Sequence, residues 1–259
     1  MEKTMNKLLT TLTSAALLAT VASADMARVE MGGGMWKQTP SGTLSYADST
    51  GATGTYTSSK KEVSNAYAWM LIKHPIPVIP NIRLEYAKVS DEGTATGSFK
   101  GFSAPTGAPA SIDITQYDII PYYNLLDNTA WVTLDLGVDI KVADTKYRAD
   151  GVTITGVGTS SVYEDSTTLI LPMLYVRTRV EIPSTDIGLE ADAKYVSYNG
   201  STAYDIRAKV DYTLGFIPVV QPAIEIGYRV EKFDLVSDDK KTNINIDFAG
   251  VYAGLMLRF

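Results

Sequence analysis

Trp131-Val132-Thr133-Leu134-Asp135-Leu136-Gly137-Val138-Asp139-Ile140-Lys141-Val142 is the stretch on which the fold turns. Val132, Leu134, Leu136, Val138, Ile140 and Val142 fall on one face. Thr133, Asp135, Gly137, Asp139 and Lys141 fall on the other. A period of two is the period of a β-strand, whose successive side chains point to opposite faces. Thr202–Leu214 repeats the pattern, with Tyr204, Ile206, Ala208, Val210, Tyr212 and Leu214 opposing Asp205, Arg207, Lys209, Asp211 and Thr213. In Ile187–Ser197, Glu190, Asp192 and Lys194 share the polar face, and in Ala223–Leu235 Glu225, Arg229 and Glu231 do. Alternation alone also suits a soluble sandwich. Length separates the two, because these runs reach about 10 to 14 residues where soluble strands average about 5 to 6. A tilted strand crossing a bilayer needs about 9 to 11. Tyr204 and Tyr212 edge the apolar face as interface aromatics do.

Weaker strands read at Val29–Lys37, Asn65–Ile72, Ile82–Val89, Ile112–Tyr123, Leu169–Val180 and Ile244–Phe259. The sum is ten, an even number, as single-chain bacterial barrels have. Connections alternate in length. Gln38–Ser64, Ser90–Ser111 and Ala143–Thr168 are long and rich in Gly, Ser, Thr and Asp. Those at His74–Asn81, Leu125–Asn128, Ile182–Asp186 and Phe216–Pro222 are short. Two further outer connections, around Asn199-Gly200 and Ser237–Thr242, are short as well. The expected fold is therefore all-β, a closed antiparallel up-and-down transmembrane β-barrel of about ten strands. Gly32-Gly33-Gly34 marks either a tight bend or a place where a bulky neighbour fills the lumen. Pro121 and Pro172 suggest bulges or strand ends. Ile76-Pro77-Val78-Ile79-Pro80 and Ile217-Pro218-Val219-Val220 echo one another, through hairpin duplication or shared turn chemistry.

The chain has 259 residues. Lys3 and Lys7, the apolar run Leu8–Val21 and the small residues Ala22-Ser23-Ala24 read as a signal peptide over 1–24, cleaved before Asp25, with Met5 as a second possible start. Residues 25–259 then form one barrel domain. There is no cysteine, hence no disulfide framework, thiol chemistry or lipidated Cys. A net charge of −6 argues against a nucleic-acid partner.

The chain ends Val251-Tyr252-Ala253-Gly254-Leu255-Met256-Leu257-Arg258-Phe259. Phe259, Leu257, Leu255, Ala253 and Val251 make an unbroken apolar face that stops at the last residue. This resembles the terminal signature of outer-membrane barrels, and implies the barrel-assembly machinery as a partner in biogenesis, outer-membrane lipid as solvent and the outer membrane as location. The chain is also similar to a family of small, uncharacterised Gram-negative outer-membrane barrels. That resemblance rests on Val29–Trp36 with Pro40-Ser41-Gly42, His74–Pro77 with Pro80-Asn81 and Leu84-Glu85-Tyr86, Tyr122-Tyr123 with Leu125–Asn128, Leu134–Gly137, and Leu171–Tyr175. These are turns and strand cores, and they imply no activity.

Ten-stranded barrels include omptin-type surface proteases, which need a His and carboxylates at the outer rim. The one histidine, His74, sits beside Pro75 in an expected periplasmic turn, so the expectation is a barrel that is not an enzyme and carries no cofactor or transition metal. Asp91-Glu92 and Asp238-Asp239 offer oxygens for a hard cation but read as solvated loop charges. The polar faces together bring Asp135, Asp139, Lys141, Arg177, Arg179, Glu190, Asp192, Lys194, Asp205, Arg207, Lys209, Asp211, Glu225, Arg229 and Glu231 into the lumen. Eight-stranded interiors are just filled by side chains, so a ten-stranded lumen with near-balanced charge should close on its own salt bridges. The function expected is a membrane scaffold with outer loops for binding or structure, their ligand unnamed; the alternative is a narrow solute channel.

Overall fold

A computed structural model describes residues 27–259 apart from 77, 157–159 and 216–219. The expected signal peptide, its cleavage point and parts of two expected turns lie outside the described residues. Eleven strands follow in chain order: β1 (Arg28–Ala47), β2 (Thr53–Ser58), β3 (Val63–Lys73), β4 (Asn81–Phe99), β5 (Phe102–Thr129), β6 (Val132–Ile154), β7 (Ser160–Glu181), β8 (Ile187–Tyr198), β9 (Ser201–Thr213), β10 (Gln221–Val236) and β11 (Thr242–Arg258). No helix occurs among the described residues. Each strand from β4 to β11 pairs antiparallel with the next, and β11 pairs with β1 from Glu30↔Arg258 to Tyr46↔Thr242. β2 and β3 both lie between β1 and β4, one above the other, so the hydrogen-bonded ring has ten positions. The barrel of about ten strands read from the sequence is the fold observed.

Exposed apolar side chains form a belt around the outside. On β6 it runs through Leu136, Val138 and Ile140, on β9 through Ile206, Val210 and Tyr212, and on β11 through Val251, Leu255 and Leu257. The belt ends at one level. Beyond it the outward positions of neighbouring strands are Lys88 and Thr115, which are paired, then Asp144 opposite Thr115, and Lys232 opposite Asp247. Above that level the strands continue with their polarity reversed: on β6, Asp144, Lys146 and Arg148 face out while Ala143 and Ala149 are buried inside. Ile112 and Ile114 of β5, Phe233 of β10 and Ile246 of β11 are buried inside at the same height.

This reversal corrects the reading of three connections. Most of Gln38–Ser64, Ser90–Ser111 and Ala143–Thr168 is strand, not loop. Thr, Ser, Gly and Ala suit these walls because their outward side chains meet water and their inward ones must be small or aromatic. The turn joining β5 to β6 falls at Ala130–Trp131, past the expected Leu125–Asn128, after register shifts at Asn124/Leu126 and Leu126/Thr129. Neither Pro121 nor Pro172 causes a bulge: both keep a partner in an unshifted ladder, Ile82 and Ile140 respectively. Each lacks a partner only on its other edge, where its missing N–H costs nothing. Of the two readings of Gly32, the bulky neighbour is right, since a Cβ there would lie 2.7 Å from the Trp69 indole nitrogen.

Candidate functional site

The inward faces at belt height carry the fifteen charges read from the sequence, and the structure buries every one of them. It adds five: Glu30, Arg83, Glu85, Asp118 and Arg258. Their signal was the same alternation, since Arg83 and Glu85 interleave with Ile82, Leu84 and Tyr86, and Asp118 lies between Tyr117 and Ile119.

These side chains make a continuous layer of pairs. Lys194, from the middle of β8, contacts Glu85 at 2.6 Å, Asp118 across the lumen, and Asp205 at 3.4 Å. Lys141 on β6 reaches Glu231 at 2.9 Å and Asp118 at 3.2 Å, and the Gln116 side-chain oxygen Oε1 accepts from it at 2.9 Å. Arg229 grips Asp205 with two nitrogens at 2.9 and 2.7 Å, and Arg207 holds Asp192 at 2.8 Å while touching Glu85. Nearer the chain termini, Arg179 forks onto both oxygens of Asp211 at 2.6 and 3.0 Å, and Arg258 joins that carboxylate at 2.6 Å. Arg177 binds Asp135 and Glu190, the latter at 2.8 Å. Forked guanidinium contacts fix geometry as well as charge.

Aromatic side chains fill what the ions leave. Tyr67 and Trp69 donate to Glu225 at 2.8 and 3.1 Å, and the Lys209 ammonium lies 4.2 Å from the Trp69 ring centre, a cation–π distance. Arg229 sits 4.6 Å over Trp36. The residual space among Trp36, Trp69, Arg83, Glu190, Arg207 and Tyr252 is about 10 Å³, room for one water at most. Glu85, Asp118 and Asp205 converge with oxygens within 4.8 Å of one another, the donor set of a metal site, but the Lys194 ammonium stands among them. Asp139 and Glu30 are the exceptions in the layer: no oxygen of either has a hydrogen bond, although Glu30 lies against Arg28, and the Lys194 nitrogen is 3.9 Å from Asp139.

Directly above this layer lies an apolar cup of about 90 Å³. Its floor is reached two residues beyond the polar layer on each of three strands: Lys141 gives way to Ala143, Gln116 to Ile114, and Glu231 to Phe233. Leu169 of β7 and Ile244 and Ile246 of β11 complete the wall. The sequence reading did not find it. Above it Phe102 stacks on Phe99 at 4.7 Å and on Tyr163 at 4.4 Å between ring centres.

The remaining candidates do not converge. His74 lies in the turn after β3, at the barrel end that holds Arg28 and Phe259, where its Nδ1 accepts from the Ile76 amide and its Nε2 meets the Pro80 carbonyl. Glu92 pairs with Lys61 at 3.0 Å, and Asp91 accepts from the Ser58 hydroxyl at 2.9 Å. Asp239 accepts from the Ser237 hydroxyl and the Lys241 amide, which hold its carboxyl below the ordinary value. Leu255 and Leu257 face outward in the belt, and Phe259 closes the ring by exchanging backbone hydrogen bonds with Val29.

No family model matches the chain, and no curated protein matches it in sequence. Among solved structures it is similar to the outer-membrane protease OmpT from Escherichia coli, at 10% identity over 93% of this chain and 100% of that one, with a TM-score of 0.54. A Pseudomonas aeruginosa FadL homologue (11% identity, 92% of this chain, 65% of that one, TM-score 0.27) and the P. putida toluene transporter TodX (7%, 94% and 91%, TM-score 0.26) also align. Likeness at those two scores supports nothing further. The resemblance to small Gram-negative barrels is thus upheld as a kind of fold and not as a family. The expectation that the chain is no enzyme is overturned, because the architecture it shares with OmpT is one that carries a protease. What the comparison establishes is the fold: an up-and-down barrel of the outer-membrane kind.

Proposed function

We propose that this chain is an integral outer-membrane barrel, sealed at lipid level by its own ion pairs, whose tall outer half is the working surface. The observation that carries the reading is a lumen crossed by the buried Lys194, Lys141 and Arg229 pairs, with about 10 Å³ of space where Arg229 meets Trp36 and Trp69. An apolar belt that stops at a ring of outward charge suits a bilayer, and strand length and the terminal face ending at Phe259 point the same way. Binding or scaffolding by the outer wall, rather than transport through the lumen, is the role this arrangement favours.

Planar-bilayer recording of the purified barrel tests it. The wild type should give no steady conductance. Arg177→Ala with Arg179→Ala and Arg207→Ala should leave Asp135, Glu190, Asp211 and Asp192 short of cations, admit water and open a cation-favouring current. Large, steady currents in the wild type would sink the sealed-barrel reading and favour the narrow-channel alternative.

A further inference from the structure

The wall of the barrel has a long free edge on β7. This strand pairs with β6 from Thr153↔Ser160 to Val132↔Val180, but with β8 only from Leu174↔Tyr195 to Glu181↔Gly188. The last residues of β8, Val196, Ser197 and Tyr198, pair with β9 and leave β7 alone. From Ser160 to Met173, one edge of β7 therefore has no strand beside it among the described residues. The lower end of the strand shows which residues point their backbone at that edge. There the Glu181 amide donates to Trp131 on the β6 side, and the Ile182 amide donates to Ile187 on the β8 side. Amides alternate sides along a strand, and the β6–β7 ladder is unshifted from Val132↔Val180 to Ala149↔Tyr163. Glu164, Ser166, Thr168, Ile170 and Pro172 thus face the free edge.

The edge is equipped differently inside and above the belt. Opposite Ile140, at belt height, the edge residue is Pro172, which has no N–H to strand in hydrocarbon. Higher up, where Thr168 lies against Asp144 and water, the N–H groups are kept. The Asp165 carboxylate accepts from the Ser166 amide at 2.9 Å, while the amides of Glu164, Thr168 and Ile170 have no partner among the described residues.

A row of alternating N–H and C=O groups is matched by another extended backbone. A second copy in the same membrane does not supply one. β7 runs from the outer end of the barrel toward the other in every copy, so two of them never lie antiparallel. A parallel ladder needs a twofold axis along the strand, and a strand tilt of about 35–45° would then tip the second barrel by roughly 70–90°. The added strand must come from another molecule, and the side chains on β7 select its character. Glu164 is already paired with Arg148, whereas Asp165 has no cation beside it among the described residues. Asp165, Thr167 and Leu169 share the inner face, so a strand laid alongside meets a carboxylate and an apolar side chain there.

We propose that the free edge of β7 binds an extended peptide as an added strand, with a Lys or Arg beside Asp165 and an apolar side chain beside Leu169. The inference rests on the outer wall as the working surface, and it fails separately from the seal, which conductance reads.

The test is amide NMR with hydrogen exchange on the barrel in lipid nanodiscs. The probe is the acetylated, amidated peptide Thr-Val-Thr-Val-Thr-Lys-Thr. Its control is the same peptide N-methylated at the third and fifth residues, which keeps the side chains and removes the donors. With the probe, the Thr168 and Ile170 amides should shift, saturate and exchange at least roughly ten-fold more slowly. The methylated control should leave them unchanged. Glu in place of the Lys should weaken binding by roughly three-fold or more. Thr168→Pro removes a donor that points away from β6, so it should abolish binding while the barrel keeps its heat-modifiable mobility. Unchanged exchange with the probe, equal effects of probe and control, or binding that survives Thr168→Pro would overturn the added strand. Protection of these amides before any peptide is added would also overturn it: protection lost on dilution would assign the edge to a second copy, and protection that persists would assign it to the chain itself. Equal binding of the Lys and Glu peptides would overturn the role of Asp165.

Discussion

Replacing Lys194 by Met removes one charge from the centre of the lumen and keeps an unbranched side chain of similar length. The ammonium is fully buried and serves Glu85, Asp118 and Asp205, with Asp139 just beyond. Without it, three carboxylates have oxygens within 4.8 Å of one another. At an effective dielectric near 20, two unit charges at that separation repel by roughly 3 kcal/mol. Lys141, Arg207 and Arg229 remain and offset part of this, through Asp118 at 3.2 Å, a direct contact to Glu85, and Asp205 at 2.7 Å. Removing one partner from a buried pair costs about 3–5 kcal/mol in general, and the crowding here places Lys194→Met in that range.

Urea unfolding of the barrel in lipid vesicles, followed by heat-modifiable gel mobility, measures the loss. A second arm uses the same geometry. The vacated position is met by carboxylate oxygens of Glu85, Asp118 and Asp205, so Ca²⁺ or Mn²⁺ should recover part of the lost stability in Lys194→Met and none in the wild type. A variant within about 1 kcal/mol of wild type would show that these carboxylates do not depend on the ammonium, and would undo the account of the layer as a set of mutually required pairs.

Three further outcomes are expected. Val138→Arg, at the middle of the outward β6 face, should cost about 2–4 kcal/mol, whereas Asp139→Asn, the next residue and a buried carboxylate without a hydrogen bond, should cost less than about 1 kcal/mol; equal losses in urea unfolding would mean that the β6 register is wrong. Deleting Phe259, which exchanges backbone hydrogen bonds with Val29, should lower the outer-membrane yield of heat-modifiable barrel, and unchanged yield would remove the assembly role from the terminal face. At the β1–β2 turn the Thr50 hydroxyl, followed by the Thr50 and Ala52 amides, holds the Asp48 carboxyl below its ordinary 3.8. A depressed carboxylate stabilises the fold above its unfolded value and loses that contribution as pH falls through the folded one; carbon-detected NMR should therefore place the Asp48 midpoint below 3.8, and Thr50→Ala should raise it.

The belt half of the barrel was legible where strands keep apolar side chains outward and polar ones inward. Val132–Val142, Gly137 apart, and Tyr204–Leu214 do so, and they mark both the strands and the lumen charges. The outer half was illegible for the same reason. On β6 the apolar positions fall at even numbers through Val142 and at odd numbers from Ala143, through Tyr147 and Ala149, so a reader following one phase sees the pattern stop. On β10 the outward Ile224, Ile226 and Tyr228 are followed by an inward Phe233. β2 escaped because Gly54, Tyr56 and Ser58 are its inward residues, and two of the three look like loop chemistry.

That shift of phase also explains why charge layer and cup lie where they do. Inside the belt, alternation drives every polar side chain into a lumen too narrow for bulk water, and each ion must find a counter-ion across the barrel. Above the belt the outer surface meets water, so Asp144, Lys146 and Arg148 can face outward and the interior is free to be apolar. The two halves share their strands and hydrogen bonds but differ in solvent, and the boundary between them falls within two residues, from Lys141 to Ala143 and from Glu231 to Phe233. A molecule arriving from outside therefore meets an apolar chamber first and a wall of paired ions second. Among the described residues the belt-height lumen is packed with paired ions and aromatic rings, and the apolar space lies above them.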